Sequence, residues 1–307
     1  MVFWSLSGFI IGTVLGSLAK AVADRSLIKK SFWGRSSCPK CQHRLAWYDL
    51  LPILTYIFLK GECRYCHKKI GIQYLLVEVV TGILVAYLFI QSFENLRFSL
   101  PAGRLQSILN FQSSIFLFKL VLRTFFVTVL VSLFLTDIKK MLIPDRIVKP
   151  AIFIGVASLL AITIYKVGYL YYYLSQSVIG RKLLPPHSEY FYGHAFLTAQ
   201  PFVGSILVGL AIGGFFWGLI IITRGKGMGG GDVKLGAFIG IMLGFPNALL
   251  ALMLSFLIGA VFSLGLIVTG KKHFGQVIPF GPFLVLGSLI ALFWGNEILN
   301  WYLHLGY

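Results

Sequence analysis

VFWSLSGFIIGTVLGSLA, residues Val2–Ala19, runs for eighteen positions without a charged side chain, and Lys20, Arg25, Lys29 and Lys30 follow it. A helix of that length and composition suits the hydrocarbon core of a bilayer, about 30 Å thick. The small residues Ala21, Val22 and Ala23 imitate a signal-peptidase site. A cleaved signal, however, carries its positive charge before the apolar core, so the run is read as a retained span occupying residues 1–23. Working outward, further apolar stretches cover about Tyr74–Ile90, Ile115–Thr136, Ile147–Tyr165, Phe202–Thr223, Val233–Leu243, Leu249–Thr269 and Val277–Ile298. The expectation is an all-α polytopic membrane protein of about eight spans. The sixth is short and Gly-rich, as a partly buried or broken helix would be.

Composition agrees. Of 307 residues, 57% are hydrophobic and 12% charged, with a mean hydropathy of +0.84. Soluble domains carry about 25% charged residues, so a soluble globule is excluded. The 27 Lys and Arg against 10 Asp and Glu give +17, but these cations lie between apolar runs. They are a topology signal rather than a nucleic-acid signal, and no nucleic-acid partner is expected. Threading eight spans with the amino terminus outside puts 24–72, 137–149, 224–234 and Lys271 with Lys272 on one side, collecting nineteen of the 27 cations. The positive-inside rule then predicts both termini outside and those segments in the cytosol. Gly12/Gly16, Gly209/Gly213, Gly214/Gly218 and Gly240/Gly244 repeat at the four-residue spacing that lets helices approach closely.

Two connections are long. Residues 168–200 are Tyr-rich, contain Pro185 and Pro186, and read as an outer loop; His187 and His194 within it read as surface residues. Residues 24–72 are long enough for a small cytosolic module. That module holds all four cysteines as two CxxC pairs, Cys38/Cys41 and Cys63/Cys66. Two residues between thiolates let both sulfurs reach one ion, and two such knuckles close a tetrahedron with no open position. Structural zinc is the preferred reading. A redox pair needs only one CxxC, and disulfides are opposed by a reducing cytosol. His43 and His67 are expected to face solvent.

Acidic residues are scarce, and at a bundle edge each is a functional candidate. Asp137 closes the third span, Pro144-Asp145 opens the fourth, and Asp232 follows Gly229-Gly230-Gly231 at the start of the sixth. Asp137 and Asp232 thus fall at one membrane face. Glycines before an acid let an extended peptide pass close to it. Equally open on chemistry alone are a helix N-cap at Asp232 and an ion pair between Asp137 and Lys139 or Lys140. A phosphate cradle is discounted, since the run lacks P-loop spacing and its Lys-Ser/Thr ending.

Taken in order, these elements resemble the bacterial type IV prepilin peptidases, polytopic aspartic proteases of the GxGD class. The match comprises the first span, Cys38-x-x-Cys41, Trp47-Tyr48-Asp49-Leu50-Leu51-Pro52, Cys63-x-x-Cys66 and Val77-Glu78-Val79-Val80-Thr81-Gly82. It continues through Asp137, Ile143-Pro144-Asp145, Gly229-Gly230-Gly231-Asp232-Val233-Lys234-Leu235 and Ile278-Pro279-Phe280-Gly281-Pro282-Phe283.

The resemblance implies that Asp137 and Asp232 are catalytic, with Gly229, Gly231, Lys234, Gly281 and Pro282 forming the substrate and active-site loops. It implies cleavage of the basic leader of type IV prepilins or pseudopilins after a Gly, at the cytosolic face of the bacterial inner membrane. Family members commonly also methylate the new amino terminus from S-adenosylmethionine, an activity linked to the cysteine-bearing loop. Partners would be prepilins and membrane lipid. The implied domains are the first span (1–23), the zinc module (24–72), spans two and three (73–136) and a protease membrane domain (137–307). Two carboxyls at one site share a proton, so the ionised member activates water while the neutral one hydrogen-bonds the scissile carbonyl. A cation-coupled transporter and a non-enzymatic zinc-bearing scaffold are the alternatives of other classes.

Overall fold

In the computed structural model the described residues are 2–304 apart from 33, 39, 100–105, 186–188, 226–227 and 271–277. His187, Lys226, Lys271 and Lys272 therefore lie outside the described residues. The architecture is all-helical: α1 (Val2–Leu27), α2 (Leu54–Phe58), α3 (Gln73–Ser99), α4 (Gln106–Lys140), α5 (Asp145–Ser175), α6 (Val178–Lys182), α7 (Tyr190–Ile222), α8 (Gly230–Leu243), α9 (Asn247–Val268) and α10 (Gly281–His304). A 3-10 turn covers Trp47–Leu50, and among the described residues the extended pairings are isolated bridges. Among the described residues, seven helices are long and apolar enough to cross a membrane. The eighth expected span is α8, whose 14 residues reach only about 21 Å.

One expectation is corrected. Among the described residues the stretch 168–200 is mostly helical rather than a loop: α5 continues to Ser175, α6 follows, and α7 begins at Tyr190. Between Gly168 and Ser175 nothing interrupts a helix, and tyrosines tolerate one well enough. At α6, the Ser177 hydroxyl accepts from Gly180 N at 2.9 Å as a side-chain cap.

The chain divides into two compact units, residues 1–103 with 119–147, and residues 104–118 with 148–307. In the first, α1 packs along α3 through small residues. A Cβ on Gly12 would lie 2.7 Å from the Thr81 carbonyl oxygen and 2.8 Å from Gly82 Cα, and one on Gly16 would lie 3.0 Å from Glu78 Cα. In the second, α8 is clasped by α7: a Cβ on Gly240 would lie 2.6 Å from Gly209 Cα, and one on Gly236 2.6 Å from the Phe216 ring. Phe216, Phe256 and Phe280 then form a cluster of rings, with centroids 5.0 to 6.4 Å apart. Among the described residues the expected Gly214/Gly218 contact is not made, for a Cβ on either would meet nothing within 4 Å. These two glycines point away from the face that α8 uses. Gly244 serves differently again, ending α8 with a φ of +64°.

Candidate functional site

The four cysteines come together. Their sulfurs all lie within 4.8 Å of one another, with Cys38 Sγ and Cys66 Sγ 4.0 Å apart. The edge of a tetrahedron with Zn–S bonds near 2.3 Å is about 3.8 Å, so the sulfurs need to draw in by at most about 1 Å to hold one ion of that kind.

Two knuckles of one design produce this. Cys38 N donates to His43 O (3.0 Å) and Gln42 N to Cys38 O (2.9 Å); correspondingly Cys63 N donates to Lys68 O (3.0 Å) and His67 N to Cys63 O (2.9 Å). Gln42 and His67 both have positive φ, +57° and +52°, and bridges Ser37–Arg44 and Glu62–Lys69 close the two turns. Burial disfavours a thiolate at Cys38, but the Cys41 and Lys40 N–H groups outweigh it and draw that thiol down to about 7. At Cys66 the Lys68 N–H favours a thiolate, yet desolvation and the neighbouring thiols prevail and raise it to about 11. A cation that replaces the shared protons relieves this competition. His43 and His67 are exposed as expected, and the His43 ring lies against Tyr65, tilted by 34° with centroids 3.7 Å apart.

Asp49 and Glu78, whose roles the sequence does not reveal, fasten the module. The Asp49 carboxylate, 3% exposed, accepts from Ala46 N and Tyr65 Oη, each at 3.1 Å, and is bridged by Arg64 Nε at 3.1 Å. It thus joins the 3-10 turn to the second knuckle. Buried Glu78 of α3 accepts from Ile53 N at 2.9 Å, holding a residue whose φ is +60° just before α2. Arg25 gathers the carbonyls of Phe32, Gly34 and Arg35 at 2.6 to 3.2 Å, tying the end of α1 to the first knuckle.

The two candidate catalytic acids are each buried at a helix end. Asp137, 5% exposed, lies in the last turn of α4, which runs three residues beyond it to Lys140; Met141 then ends the helix, its N–H donating to Asp137 O at 2.7 Å. Asp232, 9% exposed, is the third residue of α8 rather than its N-cap, which is Gly229. Gly229 N donates to Asp232 Oδ2 at 3.3 Å, and Asp232 N returns a bond to Gly229 O at 3.1 Å. Among the described residues, a Cβ on Gly229 would meet only Gly231 N, at 4.0 Å, and one on Gly230 nothing within 4 Å. Lys234 is half-buried on α8, and Gly281 and Pro282 are buried in the first turn of α10.

Sequence reasoning missed where Lys139, beside Asp137 in the chain, goes. Lys139 reaches Asp24 of α1, Nζ to Oδ1 at 2.6 Å. Asp24 also holds both oxygens on Lys20, at 2.8 and 3.1 Å, and Lys20 is 2% exposed, lying over the Tyr74 ring at 4.6 Å. This network joins α1, α3 and α4 within one unit.

Residues 10–92, which include the four cysteines, match the family described as Bacterial Peptidase A24 N-terminal domain. Residues 124–264, which include Asp137 and Asp232, match the Type IV leader peptidase family. The chain is 31% identical over 296 residues to a prepilin leader peptidase/N-methyltransferase of Bacillus subtilis (strain 168), covering 96% of each protein. It is 30% identical over 269 residues to a protein of that name from Aeromonas salmonicida (strain A449), covering 88% of this chain and 74% of the relative. With the Pseudomonas aeruginosa protein of that name it shares 28% identity over 268 residues, covering 87% and 74%. No solved structure matches the chain. The transporter and scaffold readings lapse, because matches that span both the cysteine knuckles and the two acids, and run nearly end to end in one relative, make this chain a multi-pass membrane enzyme of the type IV prepilin peptidase family.

Proposed function

We propose that the chain cleaves the leader of type IV prepilins or pseudopilins at the cytosolic face of the inner membrane, using the carboxyls of Asp137 and Asp232. The observation that carries this reading is the turn at Asp232: a buried acid in the first turn of a short helix, behind Gly229 and Gly230, where a Cβ would crowd nothing among the described residues. An extended substrate backbone can approach such a turn closely. The alternation of spans, with most cations on one side, supports both termini outside and both acids at the cytosolic face.

Peptide hydrolysis needs a base for water and an acid for the carbonyl oxygen or leaving amine, and two carboxyls sharing one proton supply both. The positive end of α8 favours negative charge on Asp232, whereas the last turn of α4 disfavours it on Asp137. Lys139 is engaged with Asp24, Nζ to Oδ1 at 2.6 Å. Asp232 therefore takes the proton of the attacking water, and Asp137 donates its own to the substrate.

Cys38, Cys41, Cys63 and Cys66 would hold a zinc ion, whose contribution is a structural crosslink. The names of the relatives support a second step, N-methylation of the new amino terminus with S-adenosylmethionine as methyl donor.

The test is cleavage of a leader-bearing prepilin by the purified full chain. Asp137→Asn and Asp232→Asn should each lose nearly all activity while Asp145→Asn, at the start of α5, keeps most of it. Either of the first two variants within about tenfold of the parent would refute the assignment, since loss of one member of a catalytic unit removes most of the rate.

A further inference from the structure

Residues 47–58 read Trp-Tyr-Asp-Leu-Leu-Pro-Ile-Leu-Thr-Tyr-Ile-Phe, with a single charged side chain. That charge is turned inward, since Asp49 is 3% exposed and is taken up by Arg64, Tyr65 and Ala46 N. The outward side is apolar: Trp47 is 76% exposed and Phe58 80%, with Leu51, Leu54 and Ile57 also exposed. The 3-10 turn and α2 are joined as one piece, Thr55 Oγ1 donating to Tyr48 O at 2.9 Å. A face with this much exposed apolar surface calls for a partner.

The depth of the segment says which. Ile53 N is bonded to Glu78, which lies five residues into α3 from Gln73, about 7.5 Å along its axis. Glu78 in turn packs against Gly16 of α1, eleven residues before that helix ends at Leu27. The chain between the two knuckles thus descends beside two spanning helices, below the level at which they end. Around it stand exposed cations, Arg44, Lys60, Lys68 and Lys69, and residues 24–72 carry ten Lys and Arg against three Asp and Glu, a surplus of seven. Aromatic and aliphatic side chains flanked by cations are the chemistry that settles at the boundary between headgroups and acyl chains.

We propose that residues 47–58 form an interfacial wedge whose apolar face lies in the bilayer, with the flanking cations on anionic headgroups. The module is then held to the membrane surface along its length, and not only through α1 and α3.

The experiment places the full chain, one copy per nanodisc, in phosphatidylcholine with or without phosphatidylglycerol. Lipids brominated near the headgroup end or near the methyl end of the acyl chain serve as quenchers from within the bilayer, and iodide as quencher from water. Subtracting the emission of Trp47→Phe isolates Trp47 from the other five tryptophans. The second reporter is Phe58→Trp in that background. With phosphatidylglycerol present, both positions should be quenched about twofold or more by the shallow bromines, less by the deep ones, and be shielded from iodide. Emission open to iodide and indifferent to both bromines would overturn the proposal. So would shielding that appears only after a prepilin is added, or only with two copies per disc, which would assign the face to substrate or to a second chain. Equal shielding in phosphatidylcholine alone would overturn the part assigned to anionic headgroups.

Discussion

Replacing Gly240 by alanine tests whether the α7–α8 crossing positions Asp232. The added methyl would lie 2.6 Å from Gly209 Cα, 2.9 Å from Gly209 N and 3.0 Å from the Val208 carbonyl oxygen. All three are backbone atoms, which cannot swing aside as a side-chain end can. Carbon contacts settle near 3.5–4.0 Å, so the helices must part by about 1 Å or α8 must roll. Overpacking of this kind costs about 1–3 kcal/mol. Asp232 lies eight residues away on the same helix, about 12 Å along the axis, and a rigid rod carries the displacement to it. Misplacing a reacting group by 1 Å costs up to about a hundredfold in rate. Gly218→Ala is the matched control, because its methyl meets nothing within 4 Å and both variants share the same gain in helix propensity. Initial rates of prepilin cleavage and thermal unfolding in one detergent should show Gly240→Ala at least about tenfold slower and less stable, with Gly218→Ala close to the parent. Equal behaviour of the two variants would refute the reasoning.

Asp24→Asn should destabilise by about 3–5 kcal/mol, because it leaves Lys20, 2% exposed, without its counter-charge. Lys139→Gln should cost at most about 1 kcal/mol, since that pair is about a third exposed on both sides. Thermal unfolding of the two variants compares them, and equal losses would contradict the network described. Glu78→Ala removes the acceptor of Ile53 N and should cost about 1–3 kcal/mol, with amide exchange at Ile53 faster by tenfold or more, whereas Glu78→Gln keeps an acceptor and most of the protection. Unchanged exchange in Glu78→Ala would remove that anchor from the account. Stripping metal with a strong chelator should expose four thiols to alkylation while the helix signal of the spans persists. Thiols that react at one rate before and after chelation would show that no ion was held there.

What could be read from the sequence was whatever depends on neighbours along the chain. Apolar runs announced the spans, and the brevity of Val233–Leu243 announced a short α8. The paired CxxC spacing announced a four-sulfur cluster. What escaped depends on partners remote in sequence. Lys139 sits beside Asp137 in the chain, yet its ion pair is with Asp24, 115 residues away. Gly209/Gly213 and Gly214/Gly218 share a spacing, but only the former pair faces α8, and phase around a helix has no meaning until a neighbour is placed. The helices at 168–175, 178–182 and 190–200 were obscured by a Tyr-rich, Pro-containing composition that resembles a loop. Asp49 and Glu78 were visible as motif positions, while their work as anchors requires the Arg64, Tyr65 and Ile53 groups that folding brings to them.

The duplicated knuckles bear on how this protein can change over time. Each turn closes through its own backbone bonds, and the two supply equal halves of one ligand set. With an ion bound, the ends of the intervening stretch are fixed whatever that stretch contains. Closing a longer loop costs little, about 0.6 kcal/mol for each doubling of length. Lineages can therefore lengthen or shorten the residues between Arg44 and Glu62 at little cost, provided that Asp49 keeps its bond to Arg64 and Ile53 its bond to Glu78. Change in this enzyme thus has a place to occur between two closed turns, each of which keeps its own backbone bonds.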